Sequence, residues 1–176
     1  MTGSTLDEVP SHARIFVDAS VFLYHFSQSS EQCRRFLRRC ELRECVGLTS
    51  VATVLEVTHR LMAMEAVAKG LVSAGRAIRR LRERPDLVKG LTAYSKQVAE
   101  IPQWGIGVQP IDIGLCLRAA DVRAEHGLLT NDALILATMG DAGVAAIATA
   151  DMDFARVEGL RVYRPTDLGS ARPALA

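Results

Sequence analysis

The run VAAIATADMDF, residues 144–154, constrains this chain more than any other stretch. Val144 to Thr149 are uncharged and partly β-branched, the composition of an interior strand. Asp151 and Asp153 follow at once, on a turn. A carboxylate at the mouth of a buried strand is poorly solvated unless something cationic meets it. ARIFVDAS, far upstream, repeats the arrangement, with Asp18 closing the apolar strand Arg14–Val17. Short apolar strands alternate with helical segments along the rest of the chain. That alternation predicts a parallel sheet covered on both faces, with right-handed crossovers. Ligands of such sheets bind beyond the carboxyl ends of the strands, where Asp18 and Asp151 fall.

The segments can be placed in order. Residues 1–13 read as a flexible tail and 14–165 as one domain. After the first strand, an apolar helix begins near Ala19. Ser29 with Gln32 suggests a capping box for a helix over 30–44, whose apolar face is Cys33, Phe36, Leu37 and Cys40. Val46–Thr49 is a second strand, and Ser50 caps a helix with Glu56 in its second turn. Gly70 suggests the end of that helix. Residues 71–84 and 86–100 read as two more helices, separated by Pro85, and 60–104 forms a helical arm within the domain. Ile106–Ile111 is the third strand, and Asp112 caps a helix closed by Gly127. Thr130 or Asn131 opens the next helix, with Asp132 in its first turn. Val144–Thr149 and Arg161–Tyr163 are the fourth and fifth strands. From Arg164 the chain reads as peripheral, with 166–176 as a C-terminal tail containing Pro173.

Composition narrows the function classes. With 21 basic and 20 acidic residues the net charge is +1, so only the placement of charge can speak for nucleic acid. Hydrophobic content of 49% supports a packed core over disorder. No uncharged apolar run approaches the ~18 residues of a membrane helix, and residues 1–13 lack an apolar signal core. A cytoplasmic protein away from membranes is expected. Cys33, Cys40, Cys45 and Cys116 lack paired zinc spacing and read as free thiols. His12, His25, His59 and His126 are scattered, which suits surface or satisfied side chains. The G-I-G at Gly105–Gly107 precedes a strand and so is not a dinucleotide fingerprint. The arginines of 34–43 and 76–84 read most plainly as solvated faces; the sharper reading is a surface that contacts phosphates.

Each acid alone has a plain structural explanation: a cap, a helix-dipole partner, an exposed helix residue. Together, Asp18, Glu56, Asp132 and Asp151 would make a pocket that could not stay ionised without protons or a metal. Two like charges ~4 Å apart repel by about 4 kcal/mol at an effective dielectric near 20. No Lys or Arg lies within two positions of these acids. Hard oxygen donors without Cys or His select Mg2+ or Mn2+, one or two ions, a site suited to phosphoryl chemistry.

FVDAS, VLEVTHRL, NDALILAT and IATADMDF resemble the successive motifs of PIN-domain ribonucleases, in particular VapC-type toxins of toxin–antitoxin pairs. The resemblance spans residues 14–163. NDALILAT followed by Thr149, Asp151, Asp153 and Phe154 is its most specific part. It implies a three-layer α/β/α fold with a five-stranded parallel sheet of order 3-2-1-4-5. It also implies one acidic Mg2+ or Mn2+ site. The catalytic acids fall on Asp18, Glu56, Asp132 and Asp151, and Asp153 on an acid that members use less uniformly. Asp18, Asp132 and Asp151 are expected to hold the principal ion, with Glu56 and Asp153 binding directly or through water. Ser20 matches the small polar residue after the first aspartate, and Thr149 the hydroxyl that steadies the site. The implied activity is endoribonuclease, with an RNA substrate, a VapB-like antitoxin and homodimerisation. The arm is longer than compact members carry; it offers a dimer clip, a substrate arm or part of an antitoxin groove. A phosphatase on a similar sheet would show D-x-D after the first strand, where this chain has Asp18, Ala19, Ser20. A non-catalytic RNA-binding module is the remaining alternative.

Overall fold

A computed structural model describes residues 4–169. Six parallel strands form one sheet in the order β1-β6-β5-β2-β3-β4. They are β1 (Ser4–Thr5), β2 (Arg14–Val17), β3 (Val46–Ser50), β4 (Gly107–Gln109), β5 (Ala146–Ala148) and β6 (Arg161–Arg164). Strands β2 to β6 reproduce the expected five-stranded order. The sixth strand comes from the segment read as a tail. Ser4 pairs with Tyr163 and Thr5 with Arg164, and Leu6 and Val9 are buried in the core. Two residues of edge strand are too short to show a period in sequence. Residues 170–176, with Pro173, lie outside the described residues.

The helices are α1 (Ala19–Phe26), α2 (Glu31–Glu41), α3 (Val51–Ala68), α4 (Ala77–Glu83), α5 (Pro85–Lys89), α6 (Ala93–Glu100), α7 (Ile113–His126) and α8 (Thr130–Asp141). Strand alternation sorts them into layers. Ile15 and Val17 of β2 join a core with α1, α2 and α3. Phe16, between them, packs with Ile147, Ile135 and Met139 under α8. Helix α7 lies against α8 through Leu115, Ala119, Ala133 and Ala137. The sheet is thus covered on both faces, the expected three layers.

Local chemistry explains the boundaries. Asp18, Ser50 and Asp112 each accept a backbone N–H in the first turn of the helix they precede. Helix α2 is capped by Ser30, not Ser29, whose Oγ accepts the Cys33 N–H at 3.0 Å. Ser30 in turn donates to Asp167 at 2.7 Å, so the expected C-terminal tail is tied to α2 at this point. Gly127 ends α7 at φ +64°, a conformation that favours glycine. The expected 86–100 helix is two pieces, α5 and α6, broken around Gly90. Expected 71–84 begins as a 3₁₀ turn, Ala74–Arg76, before α4. Cys33, Cys40 and Cys45 are free and buried, and burial pushes the Cys33 and Cys40 thiols up to about 12.

Candidate active site

Asp18 and Asp151 meet because β2 and β5 are neighbours. Phe16 pairs with Ile147 and Val17 with Ala148, so both chains leave the sheet at the same edge. The sequence then runs from β2 to β3 on one side, while β5 lies on the other. That is the point of a parallel sheet where a crevice opens. Helix α3, following β3, brings Glu56 to this crevice, and the first turn of α8 brings Asp132. A pocket of about 510 Å³ is lined by Asp18, Ser20, Glu56, Asp132, Asp151 and Asp153. All five acids expected from sequence therefore line one pocket.

A short relay of hydroxyls orders the turn. Asp18 Oδ2 accepts from Ser20 Oγ at 2.6 Å and Thr149 Oγ1 at 2.8 Å. Ser20 Oγ accepts the Ala150 N–H at 3.0 Å, and Thr149 Oγ1 accepts the Asp151 N–H at 3.0 Å. Both hydroxyls thus link the end of β2 to the chain leaving β5. Asp151 Oδ1 accepts the Asp153 N–H at 2.9 Å, which folds the second aspartate back beside the first. Phe154, fully buried, anchors that fold in the core.

One carboxylate oxygen each of Asp132, Asp151 and Asp153 lies within 4.8 Å of the others. This closest trio contains Asp153 in the place expected for Asp18, whose Oδ2 is engaged by Ser20 and Thr149. Two oxygens opposite each other on an octahedral ion at ~2.1 Å are about 4.2 Å apart, so the trio would have to draw in by at most a few tenths of an ångström to hold a small hard cation. The lining contains neither Cys nor His. Burial, with the charges of Asp151, Asp18, Asp153 and Glu56, pushes the Asp132 carboxyl up to about 6. Burial and the Asp18 charge raise Glu56 as well, against the pull of Arg60.

Two cations at the pocket escaped sequence reasoning. Arg60 lies one helical turn beyond Glu56, 3.8 Å from its Oε1. The i, i+4 spacing was a usable signal. Arg164 is the last residue of β6, not a peripheral one, and its Nη2 donates to the Ala150 carbonyl at 3.1 Å. Nothing local in the sequence marks it; it reaches the site because β6 pairs with β5. Most of the arginines singled out in sequence are engaged elsewhere. Arg35 pairs with Asp7, Arg38 with Glu41 and Arg39 with Glu44. In the arm, Arg79 and Arg80 pair with Glu83 and Arg84 with Asp86.

The fold has known counterparts. The chain aligns with VapBC2 from Rickettsia felis, in a complex bound to a DNA fragment from the promoter, at TM-score 0.56 and 11% identity. That match covers 86% of this chain and 98% of the other. PAE2754 from Pyrobaculum aerophilum aligns at TM-score 0.52 and 16% identity, covering 92% of each chain. No curated protein matches the sequence. The PIN-domain family model, however, matches residues 15–160, from the first core strand to the threshold of β6 and across every acid of the pocket. By its sequence as well as its sheet, the chain belongs to the PIN-domain family.

Proposed function

We propose that this protein is a metal-dependent endoribonuclease and the toxin of a VapBC-type pair. One observation carries the reading: five carboxylates from separate parts of the chain line one pocket, three of them with oxygens within 4.8 Å of one another. Held there, Mg2+ or Mn2+ would supply charge neutralisation at phosphorus and a more acidic water. The chain's own groups do the rest. Ser20 and Thr149 hold Asp18 in one orientation, and Thr149 aims the Asp151 turn. Asp132 sits in the first turn of α8, where the peptide dipole favours negative charge. Glu56, outside the close trio and raised in pKa, is suited to take a proton from the attacking water at its carboxylate.

The toxin assignment draws support from family membership and from the R. felis neighbour, itself a VapBC complex. Exposed Val51 and Leu55 on α3, with Ile113 and Leu117 on α7, supply apolar surface for an antitoxin or a second copy. No described helix is long and apolar enough to cross a membrane. Preference for RNA requires contacts to the 2′-hydroxyl.

Cleavage of a mixed RNA pool tests the reading. Activity should need Mg2+ or Mn2+, vanish in chelator, and fall by about 100-fold or more in Asp132→Asn, Asp18→Asn and Asp151→Asn. Substituting groups that merely support a ligand already costs roughly 10–100-fold. Activity indifferent to chelator would refute the metal mechanism, release of phosphate from small monoesters with RNA intact would point to a phosphatase, and binding without turnover to an inert module.

A further inference from the structure

The nuclease reading leaves an electrostatic question: what lets a polyanion approach five carboxylates. A bound cation answers part of it. The arm does not answer the remainder, for a geometric reason. Glu56, Arg60 and Met64 line the pocket from successive turns of α3. The arm packs on α3 through Met62, Glu65 and Ala66. At about 100° per residue, those positions lie roughly 120–160° around the helix from Arg60. The arm therefore sits behind α3 as seen from the acids.

Arg164 and Arg60 are the cations placed to help. Arg164 Nε is buried and has no hydrogen-bond partner, although its Nη2 bonds the Ala150 carbonyl. No ligand reaches an N–H that is shut off from solvent, so a further partner of Arg164 must meet the part of its fork that lines the pocket. The acids nearby do not supply it: among the described residues the ion pairs of the pocket acids are Glu56–Arg60 and Asp153–Arg156. Arg60 is itself loosely held, 3.8 Å from Glu56 and partly exposed. The two reach the pocket from different elements: Arg164 ends β6, next to β5, and Arg60 lies on α3, which follows β3.

We propose that Arg164 and Arg60 grip the sugar–phosphate backbone of a single strand at the pocket that holds the carboxylates, an inference that rests on the nuclease reading. Arginine suits the task because its planar fork matches phosphate oxygens. A bound phosphate meets the pocket side of the Arg164 fork and replaces the weak contact at Arg60.

The test is equilibrium binding of a fluorescently labelled single-stranded oligoribonucleotide in chelator, by anisotropy, across a salt series. Arg164→Gln and Arg60→Gln should each weaken binding about tenfold at low salt. Each should also reduce the slope of log K against log[salt] by about 0.7, the value for one phosphate contact on a single strand. Arg164→Lys, which keeps the charge, should keep the slope, as should Arg76→Gln on the arm. Melting temperatures are measured alongside. Arg164→Gln with the wild-type slope overturns the proposal. So does equal loss in Arg164→Gln and Arg164→Lys with lowered melting, which assigns the residue to the Ala150 turn alone. Wild-type protein that fails to bind the strand at low salt overturns it too. Wild-type protein that binds with the Arg164-dependent slope yet never cleaves RNA with Mg2+ or Mn2+ leaves this proposal standing and removes the nuclease reading.

Discussion

Thr149 is the residue on which the site's geometry turns. It is fully buried, and its hydroxyl donates to Asp18 while accepting the Asp151 N–H. One hydroxyl thus couples carboxylates 133 positions apart in the chain. Valine has the same shape without the hydrogen bonds, so Thr149→Val isolates their contribution. We expect destabilisation of about 1–3 kcal/mol, from two lost hydrogen bonds, one of them to a carboxylate, and cleavage reduced roughly 10–100-fold. Steady-state cleavage and a melting curve on the same preparation check this. Full activity in Thr149→Val would show that the two acids are oriented without it. Sequence made this threonine visible, because a hydroxyl two places before an aspartate, after an apolar strand, has a mechanical reading. It could not show the Asp18 bond, which exists only through the pairing of β2 with β5.

At the scale of elements, a carboxylate on α3 ties down the start of α6 in the arm. Glu65, with a side chain 6% exposed, accepts the Thr92 N–H at 3.0 Å and the Tyr94 N–H at 2.9 Å, and pairs with Lys69 at 2.6 Å. It thereby fills the place of a side-chain cap at the start of α6, where Thr92 makes none. Burial opposes its ionisation. The Lys69 ammonium and the N–H groups of Tyr94, Thr92 and Ala93 outweigh that and hold the carboxyl down at about 2. A depressed native pKa gives stability that is full above the unfolded value of 4.5 and lost as pH falls toward 2. Glu65→Ala should cost about 2–3 kcal/mol, from the lost Lys69 pair and two backbone hydrogen bonds to a charged carboxylate, and lower Tm by roughly 5–10 °C. Limited proteolysis should then cut between residues 69 and 92, while RNA cleavage persists. Unchanged digestion would mean that the apolar contacts of Ala66, Leu81 and Leu91 hold the arm unaided. None of this was legible in sequence. The 60–104 stretch shows helical periods and a proline, yet Glu65 reads there as one more charged helix residue. Beyond Lys69, its partners are more than 25 positions away. The sheet, by contrast, was largely legible, because its interior strands are apolar runs ended by carboxylates, turns or helix caps.

For the whole molecule, the acid pocket is a place where crowded carboxylates work against the fold. Asp132 titrates near 6 in the folded chain, against an ordinary value of 3.8. Between those pH values the folded protein binds more protons than the unfolded one, so stability falls as pH rises. Above about pH 6 that penalty is fully present. Discounted for solvent screening of a half-buried group, it is of order 1 kcal/mol, or about 2–4 °C in Tm for a chain this size. Two outcomes follow in chelator. Wild-type protein should melt lower at pH 7.5 than at pH 5, against the usual trend of surface carboxylates, and Asp132→Asn should lose most of that difference. Mg2+ or Mn2+ should then reverse the penalty at pH 7.5 and do little at pH 5, where Asp132 is mostly protonated. A ligand present at 100 times its Kd contributes about 2.7 kcal/mol, or roughly 5–10 °C here. The same ion added to Asp132→Asn should give a clearly smaller rise. Differential scanning fluorimetry across pH, with and without metal, reads all four conditions in one experiment. A metal-induced rise as large at pH 5 as at pH 7.5, or as large without the Asp132 carboxylate, would place the ion somewhere other than this pocket. The energetic link between charge crowding and metal binding would then be lost.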